Sequence, residues 1–179
     1  MNRKNFIRKS CLAGACLCGF GPLSMNSSGN LKNEENPGIE KEWLAVLLTA
    51  FDKEVDEAKK RKIIKQASIV HYNQLKMNEV LAPFKGNMDK FISFLEKDWN
   101  WKVEYDKSKN TIIADENKNY CVCPLISRQN PLKLPALCYC SEGIAEKMFS
   151  EVACKKVEAW VISSIQRGDD RCRYKVVIS

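Results

Sequence analysis

Trp99-Asn100-Trp101-Lys102-Val103-Glu104-Tyr105-Asp106 is the stretch on which the fold assignment depends. Before Trp99, apolar residues recur every three to four positions; from Trp101 onward, Trp101, Val103 and Tyr105 alternate with polar residues. The first period belongs to a helix with one buried stripe, the second to a strand with one buried face. Asp106 to Asn110 then reads as a turn and Thr111 to Ala114 as the returning strand, so the segment predicts a β-hairpin that follows a helical half.

Working back from this switch, Asn87 stands as an N-cap before Met88, Phe91, Ile92 and Leu95, and Pro83 and Gly86 break the chain ahead of it. Further back, Ile39, Trp43, Val46, Leu47, Ala50 and Phe51 fall at helical spacing, as do Ala58, Ile63, Ala67, Val70 and Leu75. They predict one long helix or a helical pair whose apolar stripes face the core. Working forward, Cys121 to Pro124 reads as a short strand ended by proline, Ser127 to Pro135 as a loop, and Ser141 as the cap of a helix running through Val152. A last hairpin pairs Val157–Ile165 with Cys172–Ile178, its turn formed by Gln166-Arg167-Gly168-Asp169-Asp170. The order predicts an α+β domain: an antiparallel sheet with the N-terminal helices packed mainly on one face, and a C-terminal helix plus β-hairpin.

At 179 residues, 45% hydrophobic and 28% charged, the chain is long enough for one domain with a sizeable core. The net charge of +7 does not predict a nucleic-acid partner. Four of its 29 basic residues lie in positions 1–24 without an acid, leaving 25 against 22, a net of +3, for the rest. The run Lys59-Lys60-Arg61-Lys62 follows Asp52, Glu54, Asp56 and Glu57 and reads as the solvated face of a helix.

Positions 1–24 read as an export signal. A basic start is followed by a short, glycine-broken apolar stretch, too short to span a membrane. Arg3-Lys4 ahead of Phe6-Ile7-Arg8 resembles the twin-arginine type with its second arginine replaced, which leaves the ordinary secretory route open. Ala13-Gly14-Ala15 precedes Cys16, a second and less favoured reading being a lipid anchor there. Residues 25–38 are polar and turn-rich and read as a flexible tether, with the folded domain over 39–179 and an exported, periplasmic or envelope location.

Nine cysteines are the chemical feature of the chain. Cys121 and Cys123, two apart on a strand, would present their sulfurs to one side; Cys138 and Cys140 would sit at the start of a helix, where N–H groups favour a thiolate. Three readings follow. The four sulfurs Cys121, Cys123, Cys138 and Cys140 hold zinc or an iron-sulfur cluster; or they form two disulfides in an oxidising compartment; or one of Cys138 and Cys140 is a reactive nucleophile. The tight Cys-x-Cys spacing strains two ligands on one ion, and metal is placed just ahead of disulfide. Cys154 and Cys172 read as small buried hydrophobes. The lone His71, beside Ile69, Val70 and Tyr72, reads as a satisfied or surface histidine rather than a general base.

Taken together, Cys121-Val122-Cys123-Pro124-Leu125, Cys138-Tyr139-Cys140-Ser141-Glu142-Gly143 and Arg167-Gly168-Asp169-Asp170-Arg171-Cys172 resemble an uncharacterised bacterial cysteine-rich family over roughly residues 40–178. The terminal hairpin also resembles 4-vinyl reductase (hydrocarbon-binding) domains and proteins like 2-amino-thiazoline-4-carboxylate hydrolases. The resemblance implies a compact ligand-binding fold with an apolar pocket between helices and sheet, cysteines at its mouth, and zinc in some relatives. Cys121, Cys123, Cys138, Cys140 and Cys172 match. Along the helix where such relatives carry further cysteines, this chain has Ala67, Ser68 and His71, which weighs against catalysis more than against binding. The expectation is an exported domain that binds a small molecule, with a four-cysteine metal site at the pocket mouth. The alternatives are a cysteine-dependent hydrolase or redox enzyme, a hydrolase acting on a small C–N or thiazoline-type substrate, and a disulfide-stabilised secreted domain.

Overall fold

A computed structural model describes residues 37–126 and 133–179, which belong to one compact unit. The export segment with Arg3, Lys4, Phe6 and Cys16, and nearly all of the tether, lie outside the described residues.

Helix α1 (Pro37–Glu54) begins two residues before Ile39, with Pro37 at its first position, where proline's preset φ suits a helix and its missing N–H costs nothing. The expected helical pair is present: Asp56 caps α2 (Glu57–Gln74) by accepting from the Lys59 N–H at 3.0 Å. A short α3 (Met77–Leu81) and a 3₁₀ turn over Ala82–Phe84 lead to α4 (Met88–Asp98), which Asn87 caps as anticipated. Strands β1 (Lys102–Asp106) and β2 (Thr111–Asp115) form the hairpin. Helix α5 (Cys138–Ala153) is followed by β3 (Val157–Ser163) and β4 (Arg173–Ile178). The sheet is antiparallel throughout, ordered β1-β2-β4-β3, so the fold is α+β as expected. No described helix is long and apolar enough to cross a membrane.

Three local expectations are corrected. Cys121–Cys123 forms no strand, because the segment pairs with nothing and Pro124 turns the chain at once. The last helix starts at Cys138, not at a Ser141 cap: Pro135 opens a 3₁₀ turn, Pro135–Leu137, that runs directly into α5 without a capping side chain. The stripes of α1 and α2 point the other way from the one expected. Trp43 is 66% exposed and Val70 64%, while Ala45 and Leu48 of α1 and Lys60, Ile64, Ser68 and Tyr72 of α2 are buried.

Contact with α5 explains the choice in α2. Gly143 lets the two helices approach so closely that a Cβ there would lie 2.7 Å from the Lys65 carbonyl and against the Ser68 hydroxyl. A small polar residue fits that seam where isoleucine would not. The main core lies between the sheet, α4 and α5, around Phe91, Leu95, Ile112, Phe149, Val152 and Val176. A smaller cluster ties α1 to α2 and to the start of α5 through Leu48, Ile64, Leu137 and Tyr139.

The exposed side of the edge strand β3 is covered by side chains. The Val161 N–H donates to Glu142 (2.8 Å) and the Ala159 N–H to Glu146 (3.0 Å), both on α5, and Arg61 of α2 donates to the Ala159 carbonyl (3.1 Å). Arg61 also pairs with the buried Glu142 at 2.6 Å. This closes an edge that would otherwise template further strands. The Arg167–Asp170 segment is turn chemistry as read: Gly168 has φ +97°, and Asp169 accepts from the Ser164 N–H at 2.7 Å.

Candidate functional site: an apolar cavity beside a thiol cluster

Helical spacing on α5 builds one wall of the site. Ser141, Ala145 and Met148 fall on one stripe, with Cys140 and Ile144 beside it, and all five line a cavity of about 480 Å³. Opposite stand Trp99 and Trp101 from the α4–β1 junction, Tyr174 from β4, and Glu116 just past the end of β2. His71, Leu75 and Met77 close the α2 side, and Val122 and Cys123 come from the unpaired segment after β2. The volume lies within the roughly 300–1,000 Å³ of small-molecule pockets, and the wall is mainly apolar and aromatic.

The aromatic wall is continuous. Phe94 meets Trp99 edge-on at 5.4 Å, Trp99 lies 5.6 Å from Trp101, and Trp101 stacks on Tyr174 at 6.2 Å. Its polar element is Glu116, whose carboxylate accepts the Tyr174 hydroxyl at 2.6 Å and whose N–H donates to the Cys172 carbonyl. Burial pushes the Glu116 carboxyl up from its ordinary value, against the opposing pull of the Tyr174 hydroxyl and Lys118. Burial, with the Glu116 charge next to it, raises the Tyr174 phenol well above its ordinary value too.

The expected sulfur set divides. Cys121, Cys123 and Cys138, joined by Cys172, line a second cavity of about 20 Å³ that shares Glu116, Ser141 and Tyr174 with the first. Cys140 turns instead toward the large cavity, where its sulfur lies 3.9 Å from His71 Nδ1; Cys123 touches both. The strand tail is absent, yet the loop after β2 and the first turn of α5 do converge. The Cys138 thiol donates to the Ser164 hydroxyl at 3.1 Å. All six described cysteines are unpaired thiols. Among the described residues, no three of His, Cys, Asp and Glu stand together so that they could hold a metal ion.

The thiolate expected at the helix start is not favoured. Burial pushes Cys123 up to about 12 and raises Cys138 and Cys140, outweighing the Ser164 hydrogen bond and the Arg167 charge at Cys138. Burial lowers His71, so His71 and Cys140 face each other as neutral imidazole and neutral thiol. Cys172 is buried as expected; Cys154 is exposed, standing in the left-handed conformation that ends α5.

Trp99, Trp101, Glu116 and Tyr174 were not singled out by the sequence. Trp101 and Tyr174 carry the period-two signal that marks a buried strand face, which does not distinguish a core wall from a cavity wall.

Residues 25–179 match a family described as "Family of unknown function (DUF6144)". Among curated proteins, none matches the chain. Among solved structures, the chain is similar to a trafficking protein particle complex subunit 3 from Naegleria fowleri, covalently bound to palmitic acid. The identity is 14%, over 79% of this chain and 96% of that one, with a TM-score of 0.48. It is similar also to the phenol-responsive sensory domain of the transcription activator PoxR with phenol (8% identity, 77% and 74% covered, TM-score 0.43). A third is a vinyl-4-reductase family protein from Methanocaldococcus jannaschii (12% identity, 80% and 81% covered, TM-score 0.34).

Proposed function

The chain belongs to DUF6144, a family of unknown function, and we propose that its folded domain is a receptor for a small, largely apolar molecule held between α5 and the aromatic wall. The observation that carries this reading is the cavity of about 480 Å³ lined by Trp99, Trp101, Tyr174, Met77, Ile144 and Met148, with Glu116 as a buried polar feature. Binding rather than catalysis is favoured because the thiol and imidazole that face the cavity are both held neutral by burial, leaving no standing thiolate.

The test uses N-phenyl-1-naphthylamine, an uncharged apolar fluorophore. Saturable binding to one site, lost in Ala145→Phe, whose ring would fill the cavity from α5, supports the reading. Non-saturable binding, or binding unchanged in a folded Ala145→Phe, sinks it.

Two further parts of the proposal are independent of the pocket. Zinc or an iron-sulfur cluster at the Cys-x-Cys pairs is supported by the convergence of Cys121, Cys123 and Cys138 on one small cavity, with Cys172 in place of Cys140. The unpaired segment around Cys121 and Cys123 would have to close on the ion. Elemental analysis beside a free-thiol count decides it: one equivalent of metal with thiols missing supports the site, missing thiols without metal indicate disulfides, and metal-free protein with every thiol titratable removes both. Export rests on the N-terminal signal with Arg3, Lys4 and Phe6, and cell fractionation of the tagged full-length chain tests it.

A further inference from the structure

We propose that the molecule the cavity takes is an organic cation, an amine or quaternary ammonium on an apolar body, its charge against Glu116 and the rings of Trp99, Trp101 and Tyr174. This rests on the pocket reading above and names the ligand class. Glu116 is only 7% exposed and opens on the cavity. Its carboxylate is held by the Tyr174 hydroxyl, and among the described residues it takes part in no ion pair. Lys118, the cation that acts on it, directs its ammonium to the backbone carbonyls of Trp99 (3.1 Å) and Glu116 (3.4 Å).

A buried carboxylate without an ion-pair partner is costly, and a ligand cation would offset that cost. The three rings beside it carry negative charge on their faces, the arrangement that attracts ammonium groups out of water. Asp98 at the rim adds a second carboxylate, and the half-buried His71 is kept neutral by its desolvation. The lining thus sets two carboxylates and three electron-rich rings against one ammonium already tied to backbone. An anion would meet repulsion here, and a neutral body would leave Glu116 uncompensated. Leu75, Met77, Ile144 and Met148 supply the apolar bed for the rest of the molecule.

The experiment titrates the full-length protein with phenyltrimethylammonium and with its uncharged isostere tert-butylbenzene, following tryptophan fluorescence. The expected result is roughly tenfold or greater preference for the cation near neutral pH. That preference is lost in Glu116→Gln while tert-butylbenzene still binds. Should Glu116→Gln fail to fold, Trp99→Leu stands in its place, because loss of a ring face must weaken binding of the cation more than that of tert-butylbenzene. Equal or tighter binding of tert-butylbenzene overturns the charge inference and leaves the pocket standing. Binding of neither probe overturns both.

Discussion

Cys140 and Cys154 carry the same thiol on one helix and its cap, in opposite surroundings. Cys140 is buried against His71 at the cavity wall, and burial raises its thiol, whereas Cys154 is exposed past the end of α5. Reactivity follows the thiolate fraction and access, so timed iodoacetamide labelling read by mass spectrometry should modify Cys154 first and Cys172, Cys123 and Cys140 slowest. Cys123, pushed up to about 12, stays a thiol throughout the neutral range. Rapid labelling of Cys140 near neutral pH would revive a nucleophilic role for it. Proximity of Cys121, Cys123 and Cys138 was legible from two Cys-x-Cys pairs. The turning of Cys140 away from them was not, because it depends on α5 starting at Cys138, and a local pattern with serine at 141 points to a later start.

The seam between α2 and α5 is where element-scale packing is least forgiving. Gly143→Ala places a methyl against Ser68 and the Lys65 carbonyl, and backbone cannot yield as a flexible side chain does. A loss of about 1–3 kcal/mol in urea unfolding is expected, and Ser68→Gly in the same chain should restore part of it, because the serine side chain is one of the two obstacles. The preceding residue, Glu142, joins α5 to α2 through Arg61 and to β3 through the Val161 N–H. Glu142→Ala strands both partners at once, with an expected cost of about 3–5 kcal/mol. Glu142→Gln keeps an acceptor for the N–H and should cost less; equal losses would show that the carboxylate's charge carries the joint. Apart from the Cys121–Pro124 strand and the start of α5, helices and strands were placed correctly from periodicity because each period is a local property. Which side of α1 and α2 faces inward was misread: Ile39, Trp43, Val46 and Val70 are the more apolar residues and lie outside, and in α2 the reason is that α5 admits only the Ser68 side.

For the molecule as a whole, the buried Glu116 links cavity and stability. Its carboxyl is raised from 4.5 by burial, so the folded state holds the proton more tightly than the unfolded chain does. Its contribution to stability is therefore fully present below the ordinary carboxyl value and is lost as the pH rises through the raised one. Urea unfolding followed upward in pH from the ordinary carboxyl value of 4.5 should show wild-type stability falling relative to Glu116→Gln. Parallel curves for the two proteins would mean that the carboxyl is not desolvated. The amino-acid order alone determined most element types, the hairpins and the α+β class, because capping, turn chemistry and hydrophobic period act over a few neighbouring residues. Only tertiary structure decided that Trp99 and Trp101, Glu116, Cys140 and Tyr174 share one chamber. They come from separate stretches of chain, and nothing local records that the space between them is left unfilled.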